Sequence, residues 1–112
     1  MTTTHKDRAT AIDKRVNALF KAATSIMTSY SQLVKSASSD GALDSKTKEL
    51  MAFSISIAIR CEDCITFHLR AAIGHGASRD EVIEAISVAI EMGGGPCVVY
   101  GARALEAFEG LS

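Results

Sequence analysis

Ile12, Val16, Leu19, Ala23, Ile26, Tyr30, Leu33 and Ala37 follow one another at alternating spacings of four and three residues, the repeat that puts side chains on one stripe of an α-helix. The polar run Ser38-Ser39-Asp40-Gly41 ends the stripe. A single first helix is therefore predicted up to about Ala37, and Asp44 or Ser45 can cap the next by accepting a backbone N–H. That second helix is predicted from about Ser45 toward Arg60. Its middle, Phe53-Ser54-Ile55-Ser56-Ile57-Ala58-Ile59, alternates in the manner of a strand. The helix-favouring segment Lys46 to Ala52 ahead of it, and the lack of any turn residue inside it, decide for helix.

A third helix is predicted from about Cys61 to Gly74, whose freedom to take positive φ suits a helix C-terminus, with His75-Gly76 as loop. Ser78-Arg79-Asp80-Glu81 has the form of a capping box. The apolar face of Val82, Ile83, Ile86, Val88, Ala89 and Ile90 follows it toward Met92. Gly93-Gly94-Gly95 reads as a flexible break, and Pro96 fits the first turn of a last helix running to about Phe108. The chain reads as an all-α, single-domain bundle of about five to six helices, with residues 1–8 as an N-terminal tail and 9–112 as the helical domain.

Composition adds an assembly. The chain has 112 residues, 47% of them apolar and 22% charged, enough for one core. Folding at this size hides only about 65% of the unfolded surface, so the apolar excess points to a homo-oligomer. Net charge is −1, with no run of Lys and Arg, which argues against nucleic acid as a partner. The start of the chain is polar, without the apolar segment of a secretory signal. The most apolar stretch, Leu50 to Ile59, has about half the length of a membrane span. A soluble, cytoplasmic protein is expected. In a reducing compartment its three cysteines read as redox chemistry or a metal site, not as a disulfide framework.

The candidate chemistry centres on Cys61-Glu62-Asp63-Cys64-Ile65-Thr66-Phe67-His68. At 100° per residue, positions i, i+3 and i+7 share one helix face, so Cys61, Cys64 and His68 stand together. Such a set suits a dithiol reaction. One thiolate attacks a peroxide or disulfide, the second thiol closes an internal disulfide, and the imidazole moves the proton. A helix start at Cys61 favours its thiolate, whereas the negative charges of Glu62 and Asp63 oppose it, so an active site needs those carboxylates turned outward. Two other readings stay open. Cys61 and Cys64 can be small core residues with His68 a hydrogen-bonded interior histidine, or they can hold zinc together with His68, His75 or Cys97, although that spacing matches no common zinc module.

Glu49 lies twelve residues before Cys61 among apolar neighbours. It can reach solvent near the helix start, or it can be a buried base exchanging protons with His68 or water. Gly93-Gly94-Gly95-Pro96 lacks the ending of a phosphate loop and reads as a turn. Cys97 beside Val98 and Val99 reads as core, His75 as loop surface, and Met27, Met51 and Met92 as gap fillers.

Three segments together resemble the carboxymuconolactone decarboxylase family, and more closely its alkylhydroperoxidase D-like branch. They are Gly41-Ala42-Leu43-Asp44-Ser45-Lys46-Thr47-Lys48-Glu49-Leu50, then Cys61-x-x-Cys64-x-x-x-His68, then Gly74-x-Gly76-Ala77-Ser78-x-x-Glu81-Val82. The resemblance implies helical subunits assembled as a trimer or hexamer. It also implies a cofactor-free and metal-free site in which Cys64 is the peroxide-attacking sulfur, Cys61 resolves the sulfenic acid, and Glu49 and His68 relay protons. The substrate would be a small peroxide or disulfide, and the reductant an external dithiol or protein. Asp63 stands where alkylhydroperoxidase D, a longer protein, has a histidine between its cysteines. The family's other activity, lyase action on a cyclic lactone acid without a thiol pair, is the alternative enzymatic reading, and a noncatalytic oligomeric binding protein is the third.

Overall fold

A computed structural model describes residues 4–112, in which the chain forms six helices and no strand: α1 His5–Ala22, α2 Thr24–Ser38, α3 Ser45–Ala58, α4 Glu62–Gly74, α5 Arg79–Gly93 and α6 Gly95–Leu111. The all-α expectation holds. Of the segment 1–8 expected as a tail, residues 1–3 lie outside the described residues. From His5 the chain is helical, capped by Thr4, whose hydroxyl accepts the Asp7 N–H while the Asp7 carboxylate accepts the Thr4 N–H.

Helices α3 to α6 enclose the core, built around Phe53, Ile57, Leu69, Val82 and Cys97. The strand-like segment of α3 is resolved by burial. Glu49, Phe53, Ser56 and Ile57 are buried at helical spacing, while Ile55 and Ile59 are 57% and 65% exposed. A half-buried strand would have hidden all four odd-numbered apolar residues together.

The single first helix expected through Ala37 is instead two. The chain breaks at Ala23 (φ −132°, ψ 54°). Directly after the break the Thr24 hydroxyl donates to the Phe20 and Lys21 carbonyls, the kind of side-chain competition that bends helices. A one-residue break leaves the four-three spacing intact, so the pattern continues across it. Only Ala9 and Ile12 of α1 are buried, and no residue of α2 is. Ile26, Tyr30 and Leu33 present an apolar stripe more than half exposed, and the radius of gyration is 14.3 Å, against about 13 Å for a compact chain of this length.

The connections are tight. Asp44 caps α3, its carboxylate accepting the Thr47 N–H at 2.8 Å, and Ser78 and Glu81 form the expected capping box on α5. Positive φ falls at Gly76 (86°), not Gly74, which remains helical. The triple glycine is no loose break either. Gly93 ends α5, Gly95 begins α6, and Gly94 alone lies between them at φ 68°.

Candidate functional site

The site begins with the way α3 stops. Arg60 sits at φ 60°, its N–H donates to the Ile57 carbonyl at 3.1 Å, and the Cys61 N–H donates to the Ser56 carbonyl at 3.0 Å. This is a Schellman closure with arginine where glycine is usual. Cys61, the last participant in that closure, is at once the N-cap of α4, its Sγ accepting the Cys64 N–H at 3.2 Å. Two hydrogen-bond patterns sharing one residue thus hold Cys61 at the head of α4, where the helix dipole favours a thiolate.

Cys61 and Cys64 are joined by a disulfide, with Cα atoms 5.2 Å apart. Both are half-buried. One helical turn beyond Cys64 on the same face, His68 Nδ1 lies 2.9 Å from Glu49 Oε2. Glu49 is buried, at 8% exposure, so of its two sequence readings the interior one describes its position. Phe67 stands edge-on to the His68 ring at 5.2 Å. Arg70 holds a two-pronged ion pair with Asp13 of α1, at 2.7 and 2.9 Å, which docks α1 on the outer side of α4. Arg70 keeps the Asp13 carboxyl below the usual carboxylate range.

The carboxylates between the cysteines do turn outward. Glu62 and Asp63 are exposed. Asp63 accepts from Arg15 Nη2 of α1 at 3.0 Å, and Glu62 accepts from Arg103 Nη1 of α6. Arg103 also lies over the Tyr100 ring, 5.5 Å from its centroid. Arg15, Glu62, Asp63 and Arg103 line an open cleft of about 740 Å³ between α1, α4 and α6. Sequence reasoning missed both arginines, and no local signal could have found them, since they lie 48 and 41 residues from their partners.

The remaining candidates do not join the site. His75 caps the far end of α4, about 20 Å from Cys61 at 1.5 Å per residue. Cys97 is 1% exposed within the core, its Sγ 3.9 Å from the Ile57 carbonyl. Among the described residues no three His, Cys, Asp or Glu side chains gather in a metal-ligating group, and no helix is long and apolar enough to cross a membrane.

A model of the carboxymuconolactone decarboxylase family matches residues 21–107. An uncharacterized protein of Cupriavidus necator is 38% identical over 112 residues, covering 100% of this chain and 99% of its own. Among solved structures, a carboxymuconolactone decarboxylase family protein from Legionella pneumophila in its apo form superposes with a TM-score of 0.92 at 40% identity, covering 96% of each chain. A member of the same family from Thermotoga maritima, for which a part in the antioxidative response has been suggested, gives 0.81 at 32% identity, covering 90% of this chain and 86% of that one.

Proposed function

Because this chain belongs to the carboxymuconolactone decarboxylase family, we propose that it is a thiol-dependent peroxidase or disulfide reductase of the alkylhydroperoxidase D-like kind. The observation that carries the proposal is the bonded Cys61–Cys64 pair heading the helix whose next turn brings His68 onto the buried Glu49. A core or surface role for these residues would not call for a carboxylate and an imidazole joined on the same face as two sulfurs. The antioxidative part suggested for the Thermotoga relative supports the same reading.

In the proposed cycle the Cys64 thiolate attacks the distal peroxide oxygen. The S–O bond forms as the O–O bond breaks, and the departing alkoxide takes a proton through His68 and Glu49. The Cys61 thiolate then attacks the Cys64 sulfenic acid, releasing its oxygen as water and closing the disulfide. An external dithiol restores both thiols by exchange and leaves oxidised. Disulfide substrates would enter at the first step, with a thiolate as the leaving group. The exposed stripe of α2 supports assembly of several copies, for which the family resemblance implies three or six.

The test is a thiol titration of the reduced protein before and after one equivalent of peroxide, with the new bond located by mass spectrometry. Loss of two thiols per chain and a Cys61–Cys64 link are expected. Peroxide turnover with a dithiol donor should vanish in Cys64→Ser and Cys61→Ser, and fall about 100-fold in Glu49→Gln as the relay is lost. Wild-type turnover in both cysteine variants would overturn the mechanism. So would decarboxylation of a cyclic lactone acid that survives loss of the thiols.

A further inference from the structure

We propose that Arg15 and Arg103 are positioning residues for the cysteine pair, cancelling the two negative charges that stand between the cysteines so that the reduced pair keeps a reactive thiolate. The inference rests on the reading of Cys61 and Cys64 as reacting thiols. Its starting point is a conflict in the sequence: Glu62 and Asp63 occupy the two positions where negative charge most opposes ionisation of the neighbouring sulfurs. The fold resolves it from outside the motif. Arg15 reaches Asp63 from α1, and Arg103 reaches Glu62 from α6, so the first turn of α4 is gripped from two different helices. Each carboxylate is drawn outward and neutralised by a separate cation.

The pairs are poor candidates for stabilising the fold. Their side chains are 55% to 62% exposed, and exposed pairs contribute little in water. Their position gives them another effect. With the cations in place, the helix dipole and the Cys64 N–H act on Cys61 without opposition from these two carboxylates. With the cations removed, two carboxylates within about a turn of the sulfurs oppose the anion, each by about half a pH unit at about 6 Å in the near-aqueous dielectric around side chains this exposed. The other charged groups facing this end of α4 are His5, Asp7 and Arg8 of α1 and Glu106 of α6, which line the same cleft, together with Arg60 directly before Cys61, Glu49 on α3 and His68 on α4, and all of them remain in every variant considered.

The measurement is the pH dependence of iodoacetamide alkylation of the chemically reduced protein, with label on the Cys61–Cys64 peptide separated by mass spectrometry from label on Cys97. Arg15→Gln and Arg103→Gln should each raise the midpoint by about half a pH unit, slowing alkylation about threefold below the midpoint. The double variant should show about one unit and tenfold. Arg103→Lys should stay near wild type, and Glu62→Gln in the Arg103→Gln background should restore the wild-type midpoint, which a merely structural role for Arg103 would not predict. Raising salt should close the gap between Arg103→Gln and wild type.

Coincident profiles of wild type and the arginine variants would overturn the inference. So would a Glu62→Gln, Arg103→Gln protein as shifted as Arg103→Gln alone, or a wild-type pair that resists alkylation at every pH. No peroxide enters the assay, so the two proposals fail separately. A pair that alkylates as described but forms no disulfide with peroxide overturns the peroxidase reading alone.

Discussion

Gly93 and Cys97 offer a sharp test of how the third cysteine is used. A Cβ added to Gly93 would lie 2.2 Å from Cys97 Sγ, well inside any carbon–sulfur contact. The sulfur has only one rotatable bond with which to retreat, and it is held at 1% exposure within the core. Gly93→Ala therefore overpacks, at a cost of about 1 to 3 kcal/mol. Against this, alanine in the last turn of α5 recovers about 0.5 kcal/mol of the entropy that glycine forfeits in a helix. The net loss is about 0.5 to 2.5 kcal/mol, or several degrees in Tm for a domain of this size. In a Cys97→Ala background the obstructing sulfur is gone and only the gain remains, so the same substitution becomes slightly stabilising. Urea unfolding of the four proteins of the cycle should give a coupling of about 1 to 3 kcal/mol and a reversal of sign. An equal cost of Gly93→Ala in both backgrounds would refute the packing argument, and with it the assignment of Cys97 to the core.

Two further outcomes follow from local geometry and charge. Arg60→Gly should stabilise the fold by about 0.5 to 1 kcal/mol, because left-handed backbone costs a side chain about 1 to 2 kcal/mol while glycine returns part of that as unfolded-state entropy. A lower urea midpoint for the variant would show that the guanidinium contributes more than its backbone costs. In acid, Asp13 is held below its ordinary 3.8 by Arg70, Asp7 by the Thr4 N–H, Asp40 by the Ser45 N–H, and Glu81 below its 4.5 by Lys46. A depressed folded-state value stabilises above the ordinary one and is lost as pH falls through the lower one. Stability should thus be level down to about pH 5 and decline below about pH 4; a urea midpoint that rises between pH 5 and pH 3 would contradict this.

The parts of the molecule legible in the sequence are those whose cause is local. Caps at Asp44 and Ser78 are set by residues three positions away, and the facing of Cys61, Cys64 and His68 follows from helical rotation alone. The break at Ala23 was hidden because the stripe repeats on both sides of it. The position of Gly76 rather than Gly74 at positive φ depends on where a helix runs out, which a pattern with glycine at both places leaves undecided. Glu49 had two plausible environments, and only its distant partner His68, 19 residues on, separates them. Arg15 and Arg103 were wholly invisible, since pairing across three helices leaves no trace in any short window of sequence.

The shared role of Cys61 has a consequence for how this chain can tolerate change in length. Its N–H closes α3 and its sulfur opens α4, so the interval from Glu49 to His68 works as a gauge with no slack in it. One residue inserted between Ile57 and Cys61 would turn α4 by about 100° against α3 and carry His68 off the carboxylate it meets. A deletion would turn it the other way. Length variation is better absorbed between Ser39 and Leu43, where the exposed turn before Asp44 can lengthen or shorten without altering the phase between α3 and α4.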